Sequence, residues 1–237
     1  MFGVVRLLCT LAAAVSLAFA TFASAATVKL TSERIDGKPV IRIVGEITSG
    51  DEVSFRQLAK STASGVVMLD GPGGRLVPAI ELGKAIRLAG YDTAVESGAS
   101  CSSACALIWM AGSTRWLSPQ GSVGFHAAYR DENGNIQESG VANAIVGRYL
   151  TLLGFPEKSV VFATSAPPNR ILRLTRSNSV LSGISFEDLN LIAPAVDDST
   201  RALPVPPPPI MISPKPMRQP SRDAKIGSEG ADRDWEN

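Results

Sequence analysis

The chain has 237 residues, 23 Lys+Arg against 22 Asp+Glu, and 45% hydrophobic residues. That balance excludes a dominant nucleic-acid surface, and the apolar fraction suffices for one buried core. A single histidine, His126, means that any serine chemistry with an imidazole base has one candidate for that base.

The first 25 residues carry one basic residue, Arg6, followed by an apolar or small run from Leu7 to Ala20. Ala23-Ser24-Ala25 has the small-residue pattern of a signal-peptidase site, which predicts cleavage before Ala26 and a periplasmic or secreted mature protein. The competing reading is an uncleaved anchor, but the Ala, Ser and Thr content makes this stretch a poor span. No stable membrane span is expected after cleavage. Loss of Arg6 leaves 22 Lys+Arg against 22 Asp+Glu, a net charge near zero, and no nucleic-acid partner is expected.

Residues 26–196 read as one domain. Val40–Val44 predicts a strand stopped at Gly45, and Phe55–Ala59 a helical turn or two. Gly65–Leu69 is wholly apolar, as for a strand buried on both faces of a parallel sheet. Val77–Ala89 has mostly helical spacing and stops at Gly90; Asp92–Val95 is a third strand. Ser103–Met110 predicts a buried helix ended by Gly112, Val123–Phe125 a short strand, and Asn143–Leu153 an amphipathic helix. This alternation implies an α/β fold with helices flanking a largely parallel sheet. Phe125, Trp109 and Trp116 are expected in the core or an interface. From Asp197 the character changes: Pro204–Pro209 disfavours helix and central strand, and residues 197–237 read as a Pro-rich disordered tail.

Two turns carry the candidate chemistry. Asp70-Gly-Pro-Gly-Gly74 joins a strand to a helix, and its glycines permit amide N–H groups to point into a site. Gly98-Ala-Ser-Cys-Ser-Ser-Ala-Cys-Ala106 places serines where a helix begins. Seen alone, such a serine also fits an N-cap.

Together with Ala111-Gly112 and Val123-Gly-Phe-His126, these segments resemble, in order, three motifs of the Clp protease proteolytic subunit. The resemblance covers about residues 35–195 and implies a ClpP/crotonase-like fold of repeated ββα/βα units. With Ala111-Gly112 as anchor it implies Ser103 as nucleophile, His126 as base, and the backbone N–H groups of Gly73 and Ala104 as oxyanion-hole donors. It puts Asn178 at the position of the family's aspartate, ahead of a last helix over Ile184–Leu191, with Asp188 as a substitute. An asparagine can fix the imidazole tautomer without adding negative charge.

The expected function is therefore an exported serine hydrolase, an ATP-independent peptidase acting on peptides or proteins. The alternative is a catalytically quiet Clp-like binding or scaffold protein. By the family's habit a homo-oligomer is expected. No ATPase partner is expected outside the cytoplasm. No cofactor or metal is expected: Cys101, Cys105 and His126 leave a zinc site one ligand short. Cys101 and Cys105 flank Ser103 at a spacing of four, which suits a disulfide in an oxidising compartment or, otherwise, two small buried thiols.

Overall fold

The computed structural model describes residues 25–189. The predicted leader, its cleavage site up to Ser24 and the Pro-rich tail lie outside the described residues.

The main sheet has six strands in the order β1-β2-β3-β4-β6-β11. These are β1 (Thr27–Ile35), β2 (Lys38–Val44), β3 (Val66–Asp70), β4 (Asp92–Val95), β6 (Arg115–Leu117) and β11 (Glu187–Asp188). All neighbours pair parallel except β1 and β2, which form an antiparallel hairpin. The connections from β2 to β3 and from β3 to β4 run through α1 (Asp51–Ala59) and α2 (Leu76–Leu88). The α/β class with a largely parallel sheet, expected from the sequence, is the observed one.

β3 shows why a continuous apolar run specifies a central strand. Val67 and Leu69 enter the main core with α2 and α3 (Ala104–Met110), whereas Val66 and Met68 join a smaller cluster with Val40, Ala94 and Leu189. Successive side chains of a strand point to opposite faces, so both faces must be apolar. Trp109 and Phe125 are fully buried, as expected. Trp109 packs edge-on against Phe186 and donates its indole N–H to the Trp116 carbonyl.

A second, three-stranded sheet positions the candidate site. It consists of β10 (Leu172–Arg173), β7 (Ser122–Phe125) and β5 (Ser100–Ser102), with β5 parallel and β10 antiparallel to β7. Beyond β7 the chain makes an exposed hairpin, β8 (Tyr129–Glu132) and β9 (Asn135–Glu138), and then α4 (Gly140–Leu152) and α5 (Glu157–Thr164).

The last helix falls elsewhere than the sequence reading placed it. α6 spans Arg176–Ser182 and ends at Gly183 in the left-handed conformation (φ 70°). Instead of continuing as a helix, the chain after Gly183 is drawn out along β6, where Glu187 and Asp188 pair with Trp116 and Leu117. Arg115 holds this extended chain by donating to the Ser185 carbonyl at 2.9 Å. Burying Ile184 and Phe186 against the sheet outweighs the helical potential of so short a segment.

Candidate active site

Both halves of the site sit at the ends of strands. The Gly71–Gly74 turn leaves β3 and is stitched on both sides. Gly71 N–H donates to Ser100 O at 2.7 Å and Gly71 O accepts from Ser102 N–H at 3.1 Å. On the other side Ile47 N–H donates to Gly73 O at 2.7 Å and Arg75 N–H to Ile47 O at 2.9 Å. Gly73 and Gly74 have φ of 118° and 135°, a region closed to most side chains, which is why the turn uses glycine here.

The nucleophile candidate lies directly across from Gly73. Ser103 follows β5 and precedes α3, with φ 58° and ψ −126°, a sparsely populated conformation for a residue with a Cβ. Such backbone persists only where the surroundings over-determine it. Here Ser103 N–H is bound by Gly124 O at 2.9 Å, and β5 is paired with β7. A disulfide joins Cys101 to Cys105 across the turn, with both residues buried and their Cα atoms 5.1 Å apart. Of the two readings of these cysteines, the structure has the disulfide. A Cβ placed on Gly73 would stand 2.7 Å from Ser103 Cβ and 3.0 Å from Ala104 N. The Gly73 and Ala104 backbones therefore meet around Ser103, and Ala104, as the first residue of α3, has no intrahelical acceptor for its N–H.

His126 follows β7 and is half-buried. Its Nδ1 lies 2.8 Å from the Ala127 carbonyl oxygen. A carbonyl only accepts, so Nδ1 carries the proton and the neutral ring keeps its lone pair on Nε2. The ring is tilted 33° against Tyr129, centroid to centroid 5.6 Å. Ser103, Ala104 and His126 line one cleft of about 800 Å³, whose wall also includes Pro72, Gly74, Leu107 and Tyr129. No group of three or more His, Cys, Asp or Glu residues suited to hold a metal occurs among the described residues.

The expected third member is not brought to this cleft. Asn178 is the N3 residue of α6: its Oδ1 accepts from Thr175 N–H at 2.8 Å, and its Nδ2 donates to Arg173 O at 2.9 Å. With Thr175 Oγ1 accepting from Asn178 N–H, this is a capping box, and Asn178 lines a separate hollow with Lys158 and Phe162. Asp188 is exposed on β11 and forms an ion pair with Arg176. The tautomer-fixing contact of His126 is instead the backbone carbonyl of Ala127. The sequence reading missed this because a carbonyl leaves no trace in residue identity. It also missed the hairpin that carries Tyr129, although Asn133-Gly134 is a strong signal for a two-residue turn.

The strand-end glycine turn, the constrained serine and the lone histidine meet around one cleft of an α/β fold whose largely parallel sheet is flanked by helices. Comparison with solved structures gives the same fold. A serine-to-alanine mutant of the 1510-N membrane-bound stomatin-specific protease superposes with a TM-score of 0.51 and 21% identity, covering 63% of this chain and 77% of that chain. A lysine-to-alanine mutant of the same protease, in complex with a substrate peptide, gives a TM-score of 0.49 and 22% identity over 63% and 73% of the two chains. No family model matches this sequence, and no curated protein matches it.

Proposed function

We propose that this protein is an exported, ATP-independent serine peptidase, with Ser103 as nucleophile and His126 as general base. The observation that carries the proposal is the pairing, in one cleft, of a serine held in a costly backbone conformation with a histidine whose Nε2 is left free to accept a proton. An N-cap serine has no need of such a conformation, since caps ordinarily lie in the extended region, and Ser103 makes no side-chain capping bond.

In the reaction Ser103 Oγ attacks the scissile carbonyl carbon while His126 Nε2 takes its proton. The oxygen, now negative, is met by the N–H groups of Gly73 and Ala104, an interaction typically worth about 3 kcal/mol per donor. The imidazolium returns the proton to the leaving amine, and water then hydrolyses the acyl-enzyme by the same route. The Ala127 carbonyl holds the ring in the correct tautomer. It brings no negative charge, so the imidazolium is stabilised less than in a triad with an acid.

Two features weigh on alternatives. A Ser–Lys mechanism finds no support in the cleft, since Lys158 Nζ donates to Val180 O beside the separate hollow. The lack of a carboxylate on His126 among the described residues favours, as a second reading, a catalytically quiet peptide-binding protein. A fluorophosphonate probe separates the two. The peptidase reading expects labelling that vanishes in Ser103→Ala and falls sharply in His126→Ala. A folded protein that takes up no probe, in oxidised or reduced form, would leave only the quiet binding protein.

A further inference from the structure

The carbonyl that fixes His126 belongs to a peptide group that is itself held from the other side. Ala127 C=O and Ala128 N–H are the two ends of one planar unit, and in a trans peptide they point in opposite directions. His126 Nδ1–H donates to Ala127 O at 2.8 Å, and Ala128 N–H donates to Asn143 Oδ1 at 2.7 Å. Asn143 Nδ2 in turn donates to Glu138 Oε1 at 2.8 Å. The orientation of the Asn143 amide is unambiguous, because one end faces a donor and the other a carboxylate.

We infer that Asn143 is a positioning residue for His126: through the Ala127–Ala128 peptide it sets the imidazole tautomer, in the place where a triad has its acid. The inference rests on the proposed role of His126 as base. The chain Glu138–Asn143–peptide–His126 runs donor to acceptor in one sense throughout, so the dipoles polarise one another toward a more negative Ala127 oxygen.

The surroundings make this a built arrangement. Asn143 lies in the first turn of α4, where its own N–H is bound by Ser139 O at 2.9 Å. Ser139 N–H is bound by Ala128 O at 2.8 Å, so the start of α4 grips the Ala128 residue at both its N–H and its C=O. Ala127 N–H donates to Ala166 O at 2.7 Å, which fixes the preceding peptide. Asn143 is half-buried and Glu138 exposed. Water screens the Glu138 charge, so its part is to orient the amide rather than to supply charge.

His126 is the single histidine, so the ¹⁵N-labelled full chain, purified without a histidine tag, gives one ring in a long-range ¹H–¹⁵N spectrum. The wild-type neutral ring is expected as the Nδ1–H tautomer alone. Asn143→Ala is expected to mix in the Nε2–H tautomer and to slow fluorophosphonate labelling of Ser103 about tenfold, with KM for a peptide little changed, as for a displaced general base. Asn143→Asp keeps an acceptor for Ala128 N–H and is expected to restore the wild-type ring. Glu138→Gln keeps an acceptor for Asn143 and should change labelling by no more than about twofold. A folded Asn143→Ala protein with an unchanged ring, or an aspartate variant that behaves like the alanine one, overturns the inference. Should Asn143→Ala not fold, Asn143→Ser, which shortens the reach but stays polar, is read in the same way. Failure of the wild type to label would overturn the peptidase proposal, while the tautomer comparison still decides the role of Asn143.

Discussion

The Ser103 side and the His126 side of the cleft are built to different standards. Ser103 is locked by strand pairing, by Gly124 O on its N–H, by backbone packed against Gly73 and by a buried disulfide across the turn. His126 has one backbone carbonyl on Nδ1 and a tilted stack with Tyr129, which stands on an exposed hairpin. The side that must hold a costly backbone conformation receives the covalent and backbone restraints. The side that, in the proposed reaction, only has to present a lone pair is held by hydrogen bonds that local motion can interrupt.

Substitutions can break this contrast from either end. The largest effect is expected from Gly73→Ala, because the new methyl meets Ser103 Cβ at 2.7 Å and the residue sits at φ 118°. On the proposed mechanism this displaces an oxyanion donor and should lower kcat by about a hundredfold, read by peptide hydrolysis or by probe labelling. Next is the clamp. Replacing Cys101 and Cys105 with alanine opens a loop of sequence separation four and should cost roughly 2 kcal/mol, seen as a fall in Tm of about 4–8 °C.

On the His126 side, Tyr129→Ala removes the ring beside the imidazole at an exposed position. It should change kcat/KM a few-fold and stability by less than about 0.5 kcal/mol, so a large loss of Tm would erase the contrast. The smallest effect concerns the approach to β5. Glu96, at the end of β4, takes two hydrogen bonds from Arg42, which hold its carboxyl below the ordinary value of 4.5. A lowered folded-state pKa contributes stability above about that value, lost as the pH falls toward the lowered one. Glu96→Gln should flatten that acid limb of the stability profile by about 1 kcal/mol or less, measured by denaturant unfolding at a series of pH values.

Much of the fold was legible because strong signals act locally. The apolar run of β3 and the spacing of α2 with its Gly90 stop gave those elements to within a residue. β1 carried no such signal, since its pattern is mostly exposed and it owes its place to pairing with β2. Helix α6 was announced by Thr175 and Asn178, three apart, a spacing that suits a capping box. Reading Asn178 as the aspartate's counterpart obscured that simpler use of its amide. In the site, Ser103, Gly73, Ala104 and His126 come together because short turns leaving β3, β5 and β7 fix where they emerge. A partner made of main chain, and an asparagine acting through it, depend on a turn geometry that residue names do not encode.

The glycine turn has one more consequence, for the direction of traffic. Gly71 approaches the backbone of Gly45 and Gly74 that of Ile47 so closely that a Cβ on either would stand 2.3 Å from a carbonyl oxygen. Through Gly71 the same turn bridges to Cys101, so it is the seam that joins the two sheets. A seam that tight cannot lift as a flap without parting both sheets. On the peptidase reading, a peptide is therefore bound against a wall that stays fixed, and its passage depends on the other walls of the cleft, Tyr129 among them. Tyr129 is carried there by a hairpin exposed along its whole length.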